Sequence, residues 1–170
     1  MTEKFISYYI SPFGELEILC SEKALMALNY LPNGRKTDFE AGVSFSDDLP
    51  IMLETKKQLN EYFAGERQSF DLPLDLVGTD FQKKVWGELL KIPFGKTISY
   101  IEMAKKLGDE KVIRAAASAN GKNPVMIIVP CHRVIGNDGK LVGYAGGLST
   151  KKWLLDHENR LANGVLDLFG

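Results

Sequence analysis

Cysteine and histidine are both scarce in this sequence, with two of each among 170 residues. Cys20 and Cys131 are too few for a disulfide framework, so we expect both thiols to be reduced, as in a cytoplasmic protein. Residues 1–77 contain one cysteine and no histidine. This short supply of ligands argues against a structural zinc site, and we expect no bound metal.

Long apolar runs are also missing, which argues against a membrane span. The first five residues lack the basic and apolar regions of a signal peptide, so we expect the protein to remain in the cytoplasm. Hydrophobic residues make up 45% and charged residues 25% of the chain, as in ordinary globular proteins. A chain of this length can form one domain or two small ones.

The net charge of −1 conceals an uneven distribution of charged residues. Residues 1–77 carry 7 basic and 13 acidic side chains, whereas residues 78–170 carry 14 basic and 9 acidic ones. A basic half suits a polyanion such as a nucleic acid, because neutralised phosphates release their counterions. A dipolar surface without any partner is the alternative.

Cys131 follows an apolar segment, residues 125–129, that stands between two prolines. The branched side chains and short length of this segment predict a buried extended structure that delivers the cysteine to a fixed place. A thiol attacks as its thiolate, and we expect the adjacent His132 and Arg133 to lower the pKa of Cys131. The alternative is that Cys131 is a small core residue.

The pattern of residues 1–77 is typical of an α+β domain. Three short strands are predicted, at 5–10, 16–20 and 24–31, with Leu16, Ile18 and Cys20 on one face. Asp48 is predicted to cap a helix that Gly65 ends. Residues 69–77 alternate like a strand, although Pro73 marks an edge or a break.

Residues 78–170 have a mainly helical pattern. Two capping boxes, each a Ser or Thr followed three residues later by Glu or Gln, mark helix starts at Thr79 and Ser99. A further helix is predicted over about 111–120, and with the preceding helix it forms a helix-turn-helix pattern. The glycine-rich turn within 134–142 predicts a hairpin, as in the wing of a winged helix.

Several short motifs occur together in the second half of the chain. They are Asn123-Pro124-Val125, Pro130-Cys131-His132-Arg133-Val134, Gly143-Tyr144-Ala145-Gly146-Gly147-Leu148 and Lys152-Trp153-Leu154-Leu155. With these motifs the chain resembles the methylated-DNA–protein-cysteine methyltransferases, also called O6-alkylguanine-DNA alkyltransferases. The match runs from about Phe81 to Glu158, and residues 1–77 match only weakly.

The resemblance implies an α+β fold in two domains. Residues 1–77 would form a small N-terminal α/β domain of the ribonuclease H-like type. Residues 78–170 would form a mainly helical winged helix-turn-helix domain that binds DNA and accepts the alkyl group.

The implied function is DNA repair by direct transfer in a single turnover. A methyl or other alkyl group on O6 of guanine, and on O4 of thymine, would pass from double-stranded DNA to Cys131. The resemblance implies minor-groove binding and a damaged nucleotide that is flipped out of the duplex. It implies no cofactor, and we expect a monomer.

Four residues would carry the chemistry if the resemblance holds. Cys131 is the nucleophile, His132 accepts the thiol proton through a water, and Glu158 orients that imidazole. Tyr100 donates to the departing guanine as negative charge develops on it. Without the resemblance, Tyr100 reads as a first-turn surface residue and Glu158 as a solvated helix carboxylate.

The other implied residues contact DNA or the flipped base. Arg114 would occupy the space that the rotated nucleotide leaves, and Asn123 would brace the active-site loop. Ala145 replaces a serine of some family members and so removes a hydroxyl donor to guanine O6. The remaining expected binding residues are Ser99, Ala115, Gly121, Val134, Tyr144 and Gly146. Phosphates are expected to meet Lys105, Lys106, Lys111 and Lys122.

Two other functions fit parts of the sequence. A non-catalytic alkylguanine-binding protein would flip the base without reacting, but relatives of that kind lack the cysteine that stands at 131. A winged-helix regulator with a structural thiol is the other alternative.

Overall fold

The structure, a computed structural model, describes residues 2–32, 41–144 and 146–164. The chain divides into two compact units, Met1–Val77 and Gly78–Gly170. Ala145, expected at the alkyl pocket, lies outside the described residues. No helix in the described ranges is both long and apolar enough to cross a bilayer. The same ranges contain no group of three or more His, Cys, Asp or Glu side chains that could hold a metal ion.

A four-stranded sheet forms the centre of the first unit. Its strands are β1 (Lys4–Ser11), β2 (Gly14–Cys20), β3 (Leu25–Tyr30) and β4 (Val43–Phe45). The strand order is β3-β2-β1-β4, with β1 antiparallel to β2 and parallel to β4. Leu16, Ile18 and Cys20 are fully buried, which confirms the face predicted from their alternation.

Helix α1 (Pro50–Phe63) packs against β1, β2 and β3. The prediction that Asp48 caps this helix was wrong, because Leu49 occupies the cap position without a side-chain hydrogen bond. Asp48 instead accepts a hydrogen bond from the Ser46 hydroxyl at 2.8 Å. Pro50 opens the helix because the first-turn N–H that it lacks would have no helical partner.

Residues 69–77 alternate in sequence but form no strand in the structure. Their only sheet-like pairing is a single bridge between Leu74 and Leu25, within the described residues. Pro73 has no N–H to donate to a ladder, which explains why the pairing does not extend.

The second unit is mainly helical, as predicted. Its helices are α2 (Asp80–Leu89), α3 (Tyr100–Lys106), α4 (Ile113–Gly121) and α5 (Leu148–Asn163). Both predicted capping boxes are confirmed, since the hydroxyls of Thr79 and Ser99 each accept a backbone N–H at 3.1 Å. A 3-10 turn, Glu110–Val112, leads into α4, which packs against α2 and α3.

Two short strands connect the start of α3 with the segment after Cys131. These strands, β5 (Ile98–Ser99) and β6 (Val134–Ile135), are parallel. The turn of the predicted hairpin is present, and Gly136 N closes it by donating to Lys140 O at 2.8 Å. The second strand of the hairpin does not form within the described residues, where β6 pairs only with β5. This pairing holds the Cys131 segment beside the start of α3.

The apolar segment before Cys131 is buried, as predicted, but it is not extended. Val129 N donates to Val125 O at 3.0 Å, so the chain closes into turns between these residues. Ile127 has a φ of 72°, a left-handed backbone conformation that branched side chains avoid. The segment is therefore a tight buried loop.

The Asn123 side chain explains why this segment turns. Its Nδ2 donates to Val129 O at 2.7 Å, and its Oδ1 accepts from Val125 N at 3.0 Å. One amide thus holds both ends of the loop, which a strand conformation could not bring together. The loop ends immediately before Pro130 and Cys131.

Candidate active site

Cys131 begins a 3-10 turn, Cys131–Arg133, that follows the closed loop directly. Its backbone N donates to Val129 O at 2.8 Å, and only 6% of the residue is exposed. His132 and Arg133 are buried in the same turn. The turn therefore places a thiol, an imidazole and a guanidinium in the interior of the unit with few conformational choices.

His132 is paired with Glu158 on α5. Its Nε2 lies 2.7 Å from Oε2 of Glu158, and both side chains are essentially unexposed. Because a carboxylate only accepts, the proton lies on Nε2 and the lone pair on Nδ1. Nδ1 is buried and has no hydrogen-bond partner among the described residues. Burial lowers the pKa of His132 despite the neighbouring carboxylate, so the ring is neutral and Nδ1 can accept a proton.

Arg133 bonds to Glu158 rather than supporting the thiol. Its Nε donates to Oε1 at 2.8 Å, its Nη2 donates to Oε2 at 3.0 Å, and its Nη1 donates to Ile92 O at 2.6 Å. Burial alone would raise the pKa of Glu158, but His132 and Arg133 hold it well below its usual range. The expectation that Arg133 lowers the pKa of Cys131 was therefore wrong, and Glu158 is no solvated carboxylate.

The Cys131 thiol is neutral at rest. Burial raises its pKa above the ordinary value, and this effect exceeds the opposing influence of Asn123, Lys151 and Tyr144. The sequence predicted a lowered pKa from the adjacent cations, and that prediction was wrong. Attack by this sulfur consequently needs a group that takes its proton.

Lys151 on α5 is a buried cation that the sequence reasoning missed. Its Nζ donates to Val134 O at 2.6 Å and to Val142 O at 2.9 Å, and the side chain is fully buried. Burial lowers its pKa to about 8, while the negative charge of an ionised Cys131 raises it. The available signal was its place on one helical stripe with Leu154 and Glu158, at a spacing of three and seven residues.

A cleft of about 760 Å³ lies beside two tyrosines that are close to Cys131, although Cys131 itself does not line it. It is lined by Tyr100 and Tyr144, and the pKa of each tyrosine is affected by the charge on Cys131. Burial raises both tyrosine pKa values, so the hydroxyls keep their protons and can donate. Arg114 and Gly121 of α4 line the same cleft.

The remaining expected residues have distinct environments. Ser99 caps α3, and Ala115 is exposed on α4. Val134 is fully buried, and its carbonyl accepts from Lys151. A Cβ at Gly146 would lie 2.9 Å from Cε2 of Tyr144, so a larger residue would displace that ring.

Four lysines near the helix-turn-helix are exposed to solvent: Lys105, Lys106, Lys111 and Lys122. Lys105 lies 3.6 Å from Glu110, an exposed ion pair that contributes little to stability. The lysines surround the ends of the helices that carry Tyr100 and Arg114. This surface suits a polyanion close to the cleft.

Comparison with known proteins gives matches along both units. Residues 4–76 match the family model described as 6-O-methylguanine DNA methyltransferase, ribonuclease-like domain. Residues 80–160 match the model described as 6-O-methylguanine DNA methyltransferase, DNA binding domain.

Named relatives cover nearly the whole chain. The methylated-DNA–protein-cysteine methyltransferase of Mycobacterium bovis is 56% identical over 159 residues, covering 94% of each chain. That of Methanosarcina acetivorans is 44% identical over 154 residues, covering 91% of this chain and 97% of its own.

A solved structure shares the fold. The crystal structure of Mycobacterium tuberculosis OGT in complex with DNA has a TM-score of 0.83 at 43% identity, covering 93% of this chain and 94% of that one. Family models, relatives and fold agree over both units. The chain belongs to the 6-O-methylguanine DNA methyltransferase family, the methylated-DNA–protein-cysteine methyltransferases.

Proposed function

We propose that Cys131 is the cysteine that accepts the alkyl group when this protein repairs DNA. The observation that carries the proposal is the grouping of Cys131 with a neutral imidazole and with two tyrosines that line an open cleft. Members of the family transfer an alkyl group from DNA to a cysteine, and Cys20, the other free thiol, is fully buried with its pKa raised by burial to about 11.

Proton transfer from Cys131 is the first step. His132 Nδ1 receives the thiol proton through a bridging water, while Glu158 holds the ring by its Nε2–H. The imidazolium formed is stabilised by the ionised Glu158, and the sulfur carries the negative charge next to Lys151. This order of events suits a thiol whose resting pKa is raised.

Alkyl transfer then occurs by displacement at carbon. The sulfur forms a bond to the alkyl carbon as the bond between that carbon and guanine O6 breaks, and the electron pair stays on the base. Tyr100 donates a hydrogen bond to the base as this charge develops. The base gains the proton that left the thiol, so no co-reactant is consumed. The thioether has no useful leaving group, so the protein acts once.

DNA binding brings the alkylated base to the cleft. We place α4 in the minor groove of double-stranded DNA, with Arg114 in the space of the flipped nucleotide and the exposed lysines at the phosphates. A base inside the stack cannot present its O6 substituent to a protein sulfur, which makes flipping necessary. O6-alkylguanine is the main substrate, and O4-alkylthymine presents the same kind of carbon.

The protein would act as a monomer in the cytoplasm. Every side chain in the proposed chemistry comes from one chain, residues 100–158. Both cysteines are free thiols, which suits a reducing compartment.

Intact-protein mass measured after mixing with a duplex that contains O6-methylguanine tests the proposal. We expect a gain of one methylene, mapped to Cys131 by peptide analysis, and no gain with unmodified duplex. Cys131→Ala should bind the duplex and show no gain. Binding by the unaltered protein without a mass change would instead indicate a non-catalytic alkylguanine-binding protein.

A further inference from the structure

Asn120 has no role in the mechanism above, yet its amide lies between two groups of the active site. The residue stands near the end of α4 and is 3% exposed. Its Nδ2 lies 3.3 Å from the Tyr100 hydroxyl oxygen and 3.4 Å from the Cys131 backbone oxygen. The same amide group therefore reaches both the proposed donor and the residue that attacks.

The orientation of the amide follows from the Cys131 carbonyl. A backbone carbonyl can only accept, so the amide atom that faces it has to be the nitrogen. The opposite orientation would place Oδ1 against the carbonyl oxygen, with no proton between two acceptors. Oδ1 has no partner among the described residues, so no competing bond favours the reverse orientation.

This orientation decides where the Tyr100 proton points. Because Asn120 donates to the Tyr100 oxygen, that hydroxyl acts as an acceptor on its buried side. Its own O–H is then free to donate in another direction, and Tyr100 lines the cleft. A tyrosine without this neighbour could rotate its proton towards other acceptors.

We propose that Asn120 is a positioning residue that directs the Tyr100 hydroxyl proton into the cleft, towards the departing base. The inference rests on the proposed role of Tyr100 as donor. Asn120 does not touch the alkyl group, and it acts only through the tyrosine. No sequence pattern singles out Asn120, because an asparagine near the end of an alanine-rich helix is an ordinary helix terminator.

A reagent comparison separates this role from a structural one. Methyl transfer needs a donor to the leaving base, whereas iodoacetamide alkylates Cys131 with iodide as the leaving group and needs no tyrosine. Asn120→Leu keeps the branched shape and the number of side-chain heavy atoms and removes the donor. We expect single-turnover methyl transfer from methylated duplex to slow about tenfold, with alkylation by iodoacetamide within about twofold of the unaltered protein.

A matched background provides the control. In Tyr100→Phe, which has no hydroxyl to direct, adding Asn120→Leu should cause little further loss, because the two effects act through one group. Equal slowing by both reagents, or full additivity with Tyr100→Phe, would overturn the inference in favour of a structural role. Asn120→Ala is the second variant, used if the leucine variant does not fold.

The inference and the proposed function fail differently. If Tyr100→Phe transfers methyl at the normal rate, the donor role of Tyr100 is wrong and the inference falls with it, while Cys131 remains the acceptor. If Tyr100→Phe is slow and Asn120→Leu is normal, only the inference is wrong. If Cys131 gains no mass in the unaltered protein, the proposed function itself is wrong.

Discussion

Arg133 donates two hydrogen bonds to the Glu158 carboxylate, from Nε to Oε1 at 2.8 Å and from Nη2 to Oε2 at 3.0 Å. His132 shares Oε2 at 2.7 Å, so one buried carboxylate serves two partners. The guanidinium fixes the carboxylate, and the carboxylate fixes the imidazole that adjoins Cys131. Several measurable consequences depend on this network and on the loop before it.

Removing Arg133 should destabilise the fold strongly. Arg133→Gln leaves Glu158 buried with a neutral partner, and breaking a buried ion pair from one side costs about 3–5 kcal/mol. Urea unfolding measures the change. Arg160→Gln, an exposed change on the same helix as Glu158, should shift the unfolding free energy by less than about 0.5 kcal/mol. Similar shifts for both variants would contradict the assigned pairing.

Acid should weaken the fold through Glu158. Its folded pKa lies below the unfolded value of about 4.3, so its stabilisation is present above that pH and is lost as pH falls below it. We expect Glu158→Gln to be less stable than the unaltered protein at pH 7, with the difference shrinking from pH 5 to pH 3. Denaturant unfolding across this range checks it, and parallel pH curves would count against the assignment.

Lys151 should control the reactivity of Cys131. Its charge lowers the thiol pKa, so Lys151→Met should shift the pH profile of iodoacetamide alkylation to higher pH. A shift of one pKa unit gives about tenfold slower alkylation at neutral pH. Lys152→Met is the matched control, because Lys152 is partly exposed and pairs with Asp156. An unchanged profile in Lys151→Met would show that its charge does not reach the sulfur.

Removing the Asn123 side-chain amide should destabilise the loop before Cys131. Asn123→Ala leaves Val125 N without its partner and removes one of the two hydrogen bonds that Val129 O accepts, the other coming from Cys131 N, which costs about 1–3 kcal/mol of unfolding free energy. Methyl transfer should slow as well, because the loop positions the thiol. Asn163→Ala removes a more exposed amide bond to Gly95 O and should leave the transfer rate unchanged. Loss of stability without loss of rate would restrict Asn123 to a structural role.

Arg114→Ala should impair repair of duplex DNA far more than reaction with free O6-methylguanine, because only the duplex has a nucleotide to replace. Transfer rates with the two substrates measure the ratio, and equal losses would contradict a role in flipping. Lys106→Ala should instead weaken duplex binding uniformly and reduce its salt dependence.

Local chemistry made part of this structure predictable. The capping boxes at Thr79 and Ser99 were predictable because each involves residues three apart, and the face of Leu16, Ile18 and Cys20 follows from the period of a strand. The motif around Cys131 identified the family and brought His132 and Glu158 into one hypothesis, although they are 26 residues apart.

Other features depend on contacts that no local pattern encodes. The direction of the Arg133 side chain is set by Glu158 on α5 and by Ile92, and neither lies nearby in sequence. Residues 125–129 looked like a strand because branched apolar side chains favour both strands and buried loops. The hydrogen bonds of the Asn123 amide decide between these two structures. Strand β4 was not predicted, because its three residues are too few to show an alternating pattern.

The left-handed backbone at Ile127 limits which substitutions could stabilise this protein. Glycine would remove the backbone strain at this position, but it would also remove an aliphatic side chain that is 1% exposed. Any other residue would retain the backbone strain. Neither choice improves on the native one. Attempts to engineer a more heat-tolerant version should therefore leave this turn alone and begin with solvent-facing positions of the helices.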